Sequence, residues 1–220
     1  MMEFKYGLDH DRTEIKILFE KFAGENKKII TIGSELMVDK DNSWIKTKSF
    51  ATVDLFDTDN TDKLHFKGNI SLFYVWMDLL NYVNKHGKFD FCYCSHTIED
   101  ISNPKMVCDL MPMIANSGLV SVPSKFVECK RGVEGEYRGY CHHRWIFNVE
   151  NNNFISYPKL NFVEYCDFLD GVSEKYKQNN AELQIFWESN LELNIINNDF
   201  LGPTTKDIKN YYLNLLTGYE

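Results

Sequence analysis

The sequence predicts an α/β fold in which a mostly parallel sheet carries helices on its faces. Between residue 12 and about residue 124, segments with helical periodicity alternate with short apolar segments of strand length. Small or polar residues directly follow these apolar segments. Such alternation builds βαβ units, whose strands run parallel.

The helices of this half are recognised by apolar residues spaced three or four positions apart. We predict them over residues 12–22, 72–87 and 103–118. The third begins with Asn103 and Pro104, a favourable helix start. We expect Pro112 to kink or end it before Gly118, which is the predicted stop.

Five strands are predicted between these helices, over residues 29–32, 50–57, 64–70, 88–96 and 119–124. Open α/β sheets bind ligands beyond the carboxyl ends of their strands. We therefore expect the residues that end these strands to share one rim of the sheet. They are Gly33 and Ser34, Asp54, Gly68 and Asn69, Ser95 and His96, and Pro123 and Ser124.

The pattern changes beyond residue 124, where glycine, charged and aromatic residues become frequent. Residues 142–149 and 153–160 are predicted to pair as strands across an asparagine turn. Residues 182–196 are predicted to form a helix followed by a strand. Residues 204–217 are typical of a closing helix with Thr205 near its N-cap.

Composition narrows the function classes. With 220 residues, a single domain is the simplest organisation. The net charge of -8 argues against a general nucleic-acid binder, which would carry a basic face. The N-terminus lacks a signal-peptide core, and no apolar segment reaches the roughly 18 residues of a membrane span. We expect a cytoplasmic protein that contacts neither nucleic acid nor membrane.

The cysteines give no reason to expect a metal. The six of them contain no CxxC pair and are predicted to be free thiols in a reducing compartment. Cys129 and Cys141, with the histidines beside Cys141, lack the usual zinc-ligand spacing. We therefore expect no metal site.

Several segments together resemble the class I S-adenosylmethionine-dependent methyltransferases. The specific matches cover residues 89–124, with FDFCYCSHTIEDISNP and SGLVSVPS, and residues 123–145. ITIGSE, VDLFD and KGNI stand where the family has its first glycine loop, the acidic end of its second strand and its Gly-Asp-hydrophobic element. PSKFVE and IFWE, further along, look like a subgroup associated with polysaccharide or glycan biosynthesis.

The resemblance implies a Rossmann-like methyltransferase fold over a single domain spanning residues 1–220. Its core would cover about residues 12–124. A C-terminal β-rich and helical elaboration, about residues 125–220, would lie on the substrate side.

The resemblance also implies S-adenosylmethionine as the cofactor. Asp54 would accept hydrogen bonds from the ribose hydroxyls, with Asp57 as the alternative. Asn69 would contact the adenine amine and Ile70 would pack on the purine. The full set of predicted cofactor-binding residues is Gly33, Ser34, Asp54, Leu55, Gly68, Asn69, Ile70, Ser95 and His96.

Histidines are the candidates for acceptor chemistry, because methyl transfer to a hydroxyl requires loss of a proton near neutral pH. His143 or His142 would act as base or bind the acceptor, and His96 would line the pocket. Adjacent strand residues point to opposite faces, so we expect one of His142 and His143 to face the pocket. Glu99 and Asp100 are expected to begin the next helix, near its positive end.

An arginine concentration suggests a phosphorylated or nucleotide-linked sugar, because Arg forks fit phosphate oxygens. The predicted acceptor-binding residues are Arg131, Arg138, Arg144 and Tyr140. Pairing of these arginines with neighbouring glutamates is the structural alternative.

The leading function is a methyltransferase acting on a sugar, nucleotide-sugar or other small glycan-related acceptor. An alternative is a cofactor-free binding or scaffold protein, since Gly33 is followed by Ser34, Glu35 and Leu36 rather than by the family's further glycines. A third reading is a metal-dependent hydrolase that uses His142, His143, Glu128 and Cys141. A homodimer is an open alternative to a monomer.

Overall fold

The computed structural model describes residues 1–8, 13–33, 48–57, 63–196 and 205–215. Ten strands lie in these residues. They are β1 (Met2–Gly7), β2 (Ile29–Ile32), β3 (Ala51–Asp54), β4 (Leu64–Lys67), β5 (Phe89–Ser95), β6 (Ala115–Pro123), β7 (Trp145–Glu150), β8 (Asn153–Pro158), β9 (Glu182–Glu188) and β10 (Leu193–Ile195).

Seven of these strands form one sheet, in the order β1-β9-β6-β5-β2-β3-β4. Strands β2 to β6 are mutually parallel, and β9 runs antiparallel to both of its neighbours, β6 and β1. Counted from β2, the five parallel strands have the order 3-2-1-4-5 found in doubly wound dinucleotide-binding folds. The mostly parallel α/β sheet predicted from the sequence is confirmed.

Helices cover both faces of this sheet. The described α-helices are α1 (Thr13–Gly24), α2 (Phe73–His86), α3 (Pro104–Ile114), α4 (Lys125–Glu128), α5 (Asp170–Ser173) and α6 (Thr205–Asn214). Helices α2 and α3 pack on the face that carries Cys92 and Cys94. Helix α1 packs on the opposite face, against Phe91 and Tyr93. None of the described helices combines the length and the apolar character needed to cross a membrane.

Helix α3 is shorter than predicted. It ends at Ile114 with Pro112 inside its last turn, and β6 begins at Ala115. The predicted stop, Gly118, is instead a strand residue. A Cβ atom there would lie 2.5 Å from the Trp187 ring and 2.4 Å from the Cys92 carbonyl oxygen. The glycine therefore marks close packing within the sheet rather than the end of a helix.

The prediction of a helix at the start of segment 182–196 was wrong. Residues Glu182–Glu188 form β9, which pairs with β6 on one side and with β1 on the other. A short apolar segment buried on both faces has no alternation, so it does not distinguish strand from helix. The sequence analysis made no prediction for β1, which forms one edge of the sheet.

A second sheet contains β7, β8 and β10. The predicted hairpin is confirmed: β7 and β8 pair antiparallel across Asn151 and Asn152, which have φ values of +48° and +62°. Positive φ at both turn positions is typical of a type I′ hairpin. Phe147 and Phe154 of this hairpin pack into the core of the main sheet, so the second sheet lies against it.

All six cysteines are free, as predicted, and only Cys141 is exposed. Burial raises the pKa of the Cys92 and Cys108 thiols well above the ordinary value. These thiols therefore behave as small apolar core residues.

Candidate functional site

A cavity of about 280 Å³ opens at the carboxyl ends of β2, β3 and β4, and we call it the rim cavity. Its lining also includes residues of the loop after β5 and Arg144. Parallel strands bring their carboxyl ends to one edge, which explains how residues far apart in sequence meet here. Six predicted cofactor-binding residues line this cavity: Gly33, Asp54, Leu55, Gly68, Asn69 and Ile70.

Gly33 is the position where β2 and the loop after β5 approach most tightly. Its φ is +73°, and a Cβ atom would lie only 2.1 Å from Thr97 Oγ1. The Thr97 hydroxyl is itself fixed, because it donates to the Ser95 carbonyl oxygen at 2.9 Å. Any larger residue would push this loop away from the rim. Ser34, which follows, lies outside the described residues.

Asp54 ends β3 and is 6% exposed. Its Oδ1 accepts the Phe56 N–H at 3.1 Å, and its carbonyl oxygen accepts the Gly68 N–H at 2.8 Å. These bonds hold the carboxyl group at the cavity wall. Asp57, the alternative ribose ligand, has an exposed side chain paired with Lys67 at 2.6 Å. The geometry therefore favours Asp54 over Asp57.

Asn69 and Ile70 form the next part of the wall. Asn69 Oδ1 accepts the Ser71 N–H at 2.9 Å, and an amide oxygen has capacity for a second hydrogen bond. Ile70 is 6% exposed and presents an apolar surface. Its carbonyl oxygen accepts the Trp76 indole N–H at 2.8 Å, which ties the loop after β4 to α2.

Ser95 and His96 end β5, and within the described residues neither lines the rim cavity. Ser95 is buried in the sheet. The His96 ring lies between two buried carboxyl groups, with Nε2 2.8 Å from Glu182 Oε1 and Nδ1 3.5 Å from Glu99 Oε1. Glu182 also accepts the Ser121 hydroxyl at 2.6 Å. His96 therefore connects the end of β5 to β9.

Glu99 and Asp100 do not begin a helix, so that expectation was wrong. Helix α3 starts at Pro104 with Asn103 as its N-cap, whose Oδ1 accepts the Met106 N–H at 3.2 Å. The amide cap competes better than a more distant carboxylate for the first helical N–H groups. The two acidic residues lie in the preceding turn, where burial raises the pKa of the Glu99 carboxyl group well above its usual value.

A second cavity, of about 430 Å³, lies beside the segment that leads into β7, and we call it the loop cavity. Sequence reasoning did not anticipate it. It is lined by polar residues and by two exposed tyrosines, Tyr137 (56% exposed) and Tyr165 (83% exposed). The lining residues are Tyr137, Cys141, His143, Lys159, Leu160, Asn161, Val163, Glu164 and Tyr165.

His143 lines the loop cavity and is held by a buried carboxylate. Its Nδ1 lies 2.7 Å from Glu128 Oε1, and Glu128 Oε2 accepts a hydrogen bond from Lys159 Nζ at 2.6 Å. A carboxylate oxygen accepts hydrogen bonds, so an imidazole nitrogen at this distance is suited to donate through Nδ1–H. The other ring nitrogen, Nε2, is then the basic one.

Gly139 allows this arrangement. Its φ is +56°, and a Cβ atom would lie 2.4 Å from Glu128 Oε2 and 2.7 Å from the Glu128 Cα. Tyr140, which follows, packs its ring 4.8 Å from that of His143, and its carbonyl oxygen accepts Lys159 Nζ at 2.7 Å. The predicted acceptor residue Tyr140 thus lies next to the buried histidine.

Asp100, His142 and His143 form what we call the Asp–His–His cluster. Asp100 Oδ1 lies 3.7 Å from His142 Nε2 and 3.6 Å from His143 Nε2. Both histidines approach the same carboxylate, and His143 but not His142 is among the residues that line the loop cavity. Both precede β7 and do not lie in a strand. Burial raises the pKa of Asp100, and the neighbouring His143 opposes that rise.

The cluster lies where the two cavities approach each other. Asp100 lines the rim cavity and His143 lines the loop cavity, and their facing atoms are 3.6 Å apart. A ligand in one cavity would therefore lie close to a ligand in the other.

The three predicted acceptor arginines have different positions. Arg144 lines the rim cavity. Arg131 is 42% exposed in its side chain and donates to the Glu164 carbonyl oxygen at 2.8 Å. Arg138 is fully buried, and its Nη2 lies 2.7 Å from Asp170 Oδ1. That position does not suit contact with an acceptor.

Two residues at the site, Thr97 and Lys159, had no assigned role in the sequence analysis, and Glu128 was assigned only in the hydrolase alternative. Glu128 carried a weak signal, because it follows Phe126 and Val127 in an apolar segment and charged residues in such segments are buried only when paired. Thr97 and Lys159 gave none, since their contacts depend on tertiary packing.

The sequence matches no protein-family model and no curated protein. Among solved structures, the methyltransferase domain of bacterial CtHen1 is 13% identical, with a TM-score of 0.40 over 81% of this chain and 98% of that one. The N-terminal domain of EvdMO1 with SAH bound is 9% identical, with a TM-score of 0.41 over 82% of each chain.

The MycE methyltransferase from the mycinamycin biosynthetic pathway, in complex with Mg and SAH, is 13% identical with a TM-score of 0.42. The match covers 87% of this chain and 51% of that one, so this chain spans about half the length of MycE. The chain has an α/β fold with a seven-stranded, mostly parallel sheet and a small additional three-stranded sheet.

Proposed function

We propose that the protein transfers a methyl group from S-adenosylmethionine to a small sugar-containing acceptor. One observation carries the proposal: six residues predicted to contact the cofactor line a single cavity at the carboxyl edge of the parallel sheet. Open α/β sheets bind nucleotide cofactors at this edge.

The cofactor's adenosine occupies the rim cavity. Asp54 accepts hydrogen bonds from the ribose hydroxyls, for which a carboxylate is well suited. Asn69 accepts from the adenine amine through the remaining capacity of its Oδ1, and Ile70 packs against the purine. The close contact between Gly33 and Thr97 shapes the wall that faces the methionine part of the cofactor.

The acceptor occupies the loop cavity. Tyr137 and Tyr165 offer exposed rings for a sugar face, and Asn161 offers a polar group. Methyl transfer requires the acceptor atom to lie about 3–3.5 Å from the methyl carbon and in line with the C–S bond. The short separation of Asp100 and His143 supports this alignment.

The acceptor's proton leaves toward the Asp–His–His cluster. The oxygen lone pair forms a bond to the methyl carbon, and the C–S bond breaks to give SAH. His143, held by Glu128, is positioned at the acceptor side of this step. A hydroxyl is the acceptor group that benefits most, because its proton is the hardest to remove near neutral pH.

Isothermal titration calorimetry with S-adenosylmethionine and with SAH tests the proposal directly. We expect one molecule of either ligand per chain, and no binding of ATP, which shares the adenosine but carries a triphosphate. A radiolabelled methyl group should then pass to at least one member of a panel of nucleotide sugars and glycosides. Absence of heat with both cofactor forms would favour the cofactor-free binding protein.

A further inference from the structure

We propose that the Asp–His–His cluster binds one divalent transition-metal ion, with Asp100 Oδ1, His142 Nε2 and His143 Nε2 as its ligands. These three atoms all lie within 4.8 Å of one another. The proposal deepens the proposed function and rests on it for the role of the ion, which would hold the acceptor hydroxyl. Ion binding itself does not depend on methyl transfer.

The spacing of the three atoms fits an ion. Bonds of about 2.1 Å in a tetrahedral site place neighbouring ligand atoms about 3.4 Å apart. The separations from Asp100 Oδ1 are 3.7 Å to His142 and 3.6 Å to His143. The His142 side chain is 60% exposed, so a small rotation of its ring closes the difference.

His143 has a carboxylate within hydrogen-bond distance of the ring nitrogen that faces away from the cluster, and His142 has a more distant one. Glu128 Oε1 lies 2.7 Å from His143 Nδ1, and Glu134 Oε2 lies 3.9 Å from His142 Nδ1. A carboxylate at hydrogen-bond distance orients a metal-binding imidazole and increases the basicity of the ligating nitrogen. The Glu128 contact therefore leaves His143 Nε2 available to an ion.

The Asp100 carboxyl oxygen gives an independent indication. Asp100 Oδ1 is a buried atom that has no hydrogen-bond partner among the described residues. An unsatisfied buried oxygen is costly and unusual in folded proteins. The Nε2 atoms of His142 and His143 lie 3.7 Å and 3.6 Å from it, and a cation among the three atoms would satisfy it.

The chemistry of the three ligand atoms indicates which ions the site would prefer. Two imidazoles and one carboxylate suit Zn²⁺, Co²⁺, Fe²⁺ or Mn²⁺ better than Mg²⁺ or Ca²⁺, which prefer oxygen ligands alone. Three protein ligands leave coordination positions open for another molecule. A hydroxyl bound there loses its proton more readily, because the ion stabilises the resulting oxygen anion.

Titration of untagged, metal-free protein tests the site. Zn²⁺ is followed by calorimetry and Co²⁺ by its visible absorption spectrum. We expect one ion per chain for the wild type and at least about 100-fold weaker binding for His142→Ala, which removes an exposed ligand. His86→Ala is the matched control, because His86 is also exposed and stacks on Tyr82 near the opposite edge of the sheet. It should bind as the wild type does.

Cys141 is the other candidate ligand for these ions, since it is exposed and precedes His142. Cys141→Ser should therefore leave the affinity within about 3-fold. The proposal is overturned if the wild type binds neither ion, if His142→Ala binds like the wild type, or if Cys141→Ser abolishes binding.

SAH titrations separate this proposal from the proposed function. His142→Ala should lose the ion and keep its affinity for SAH, because His142 does not line the rim cavity in the described residues. Binding of Zn²⁺ without binding of SAH would remove the methyltransferase proposal and retain the metal site. Binding of SAH without binding of Zn²⁺ or Co²⁺ would remove the metal site and retain the methyltransferase proposal.

Discussion

Replacement of Asp54 by asparagine tests whether the rim cavity holds a ribose. Asparagine has nearly the same shape and keeps an Oδ1 for the Phe56 N–H, so the turn after β3 is preserved. What it loses is the charge and the ability to accept two hydrogen bonds from ribose hydroxyls. Asp57→Asn is the matched control. It makes the same change in net charge on the same turn, at a side chain that is 77% exposed and outside the cavity.

The expected magnitude follows from the bonds that are lost. Hydrogen bonds to a charged group contribute about 1.5–3 kcal/mol. At about 1.4 kcal/mol for each factor of ten, Asp54→Asn should weaken SAH binding roughly 10- to 150-fold. Asp57 is engaged in an exposed ion pair with Lys67, and such pairs contribute about 1 kcal/mol or less to stability. Asp57→Asn should therefore change SAH affinity by less than about 3-fold.

Calorimetry with SAH measures both affinities, and urea unfolding of each variant verifies that the fold is retained. Equal SAH affinities in the two variants would refute the reasoning, because the buried carboxylate would then contribute no more than an exposed one. A larger loss of SAH affinity for Asp57→Asn than for Asp54→Asn would indicate that Asp57, and not Asp54, contacts the ribose.

Three further predictions concern the acceptor side and the interior. His143→Ala should slow methyl transfer about 100-fold or more and change SAH affinity less than about 3-fold; unchanged turnover would remove His143 from the reaction. Gly139→Ala should lower the free energy of unfolding in urea by about 2–4 kcal/mol, because its Cβ would overlap Glu128, and a stability equal to wild type would contradict this contact. Burial lowers the pKa of Lys125 from 10.5 to about 8, so the folded chain binds fewer protons than the unfolded chain between these values. The buried cysteine thiols contribute the opposite trend in both proteins, so the lysine is isolated by the difference between the wild type and Lys125→Met. The free energy of unfolding of the wild type relative to Lys125→Met should rise by about 3 kcal/mol as the pH increases across this range. Parallel pH profiles for the two proteins would show that the lysine is not desolvated.

The rim cavity could be predicted from sequence because its geometry follows from chain direction. Once β2, β3 and β4 are parallel, their final residues must lie at one edge, whatever the loops between them do. The prediction that Asp54 and Asn69 lie close together therefore required no information about side-chain packing. Residue 34, although predicted by the same rule, lies outside the described residues.

The Asp–His–His cluster could not be predicted in this way. Asp100 follows β5, His142 and His143 precede β7, and Glu128 ends α4. No period or spacing connects these positions, and they meet only because the loop before β7 folds back over the loop after β5. The Arg144 N–H donates to the Glu99 carbonyl oxygen at 2.7 Å, which joins the two loops. Contacts of this kind depend on the whole fold.

Arg138 explains how that loop is kept in place. Its buried guanidinium donates to the Cys129 and Cys166 carbonyl oxygens and pairs with Asp170, so it ties the loop before β7 to α4 and α5. A fully buried charge is stable only when it is paired, and loss of one partner is strongly destabilising. The loop that carries both histidines is thus anchored from the buried interior by a side chain that lines neither cavity among the described residues. The precision of the cluster depends on an arginine that no substrate needs to touch.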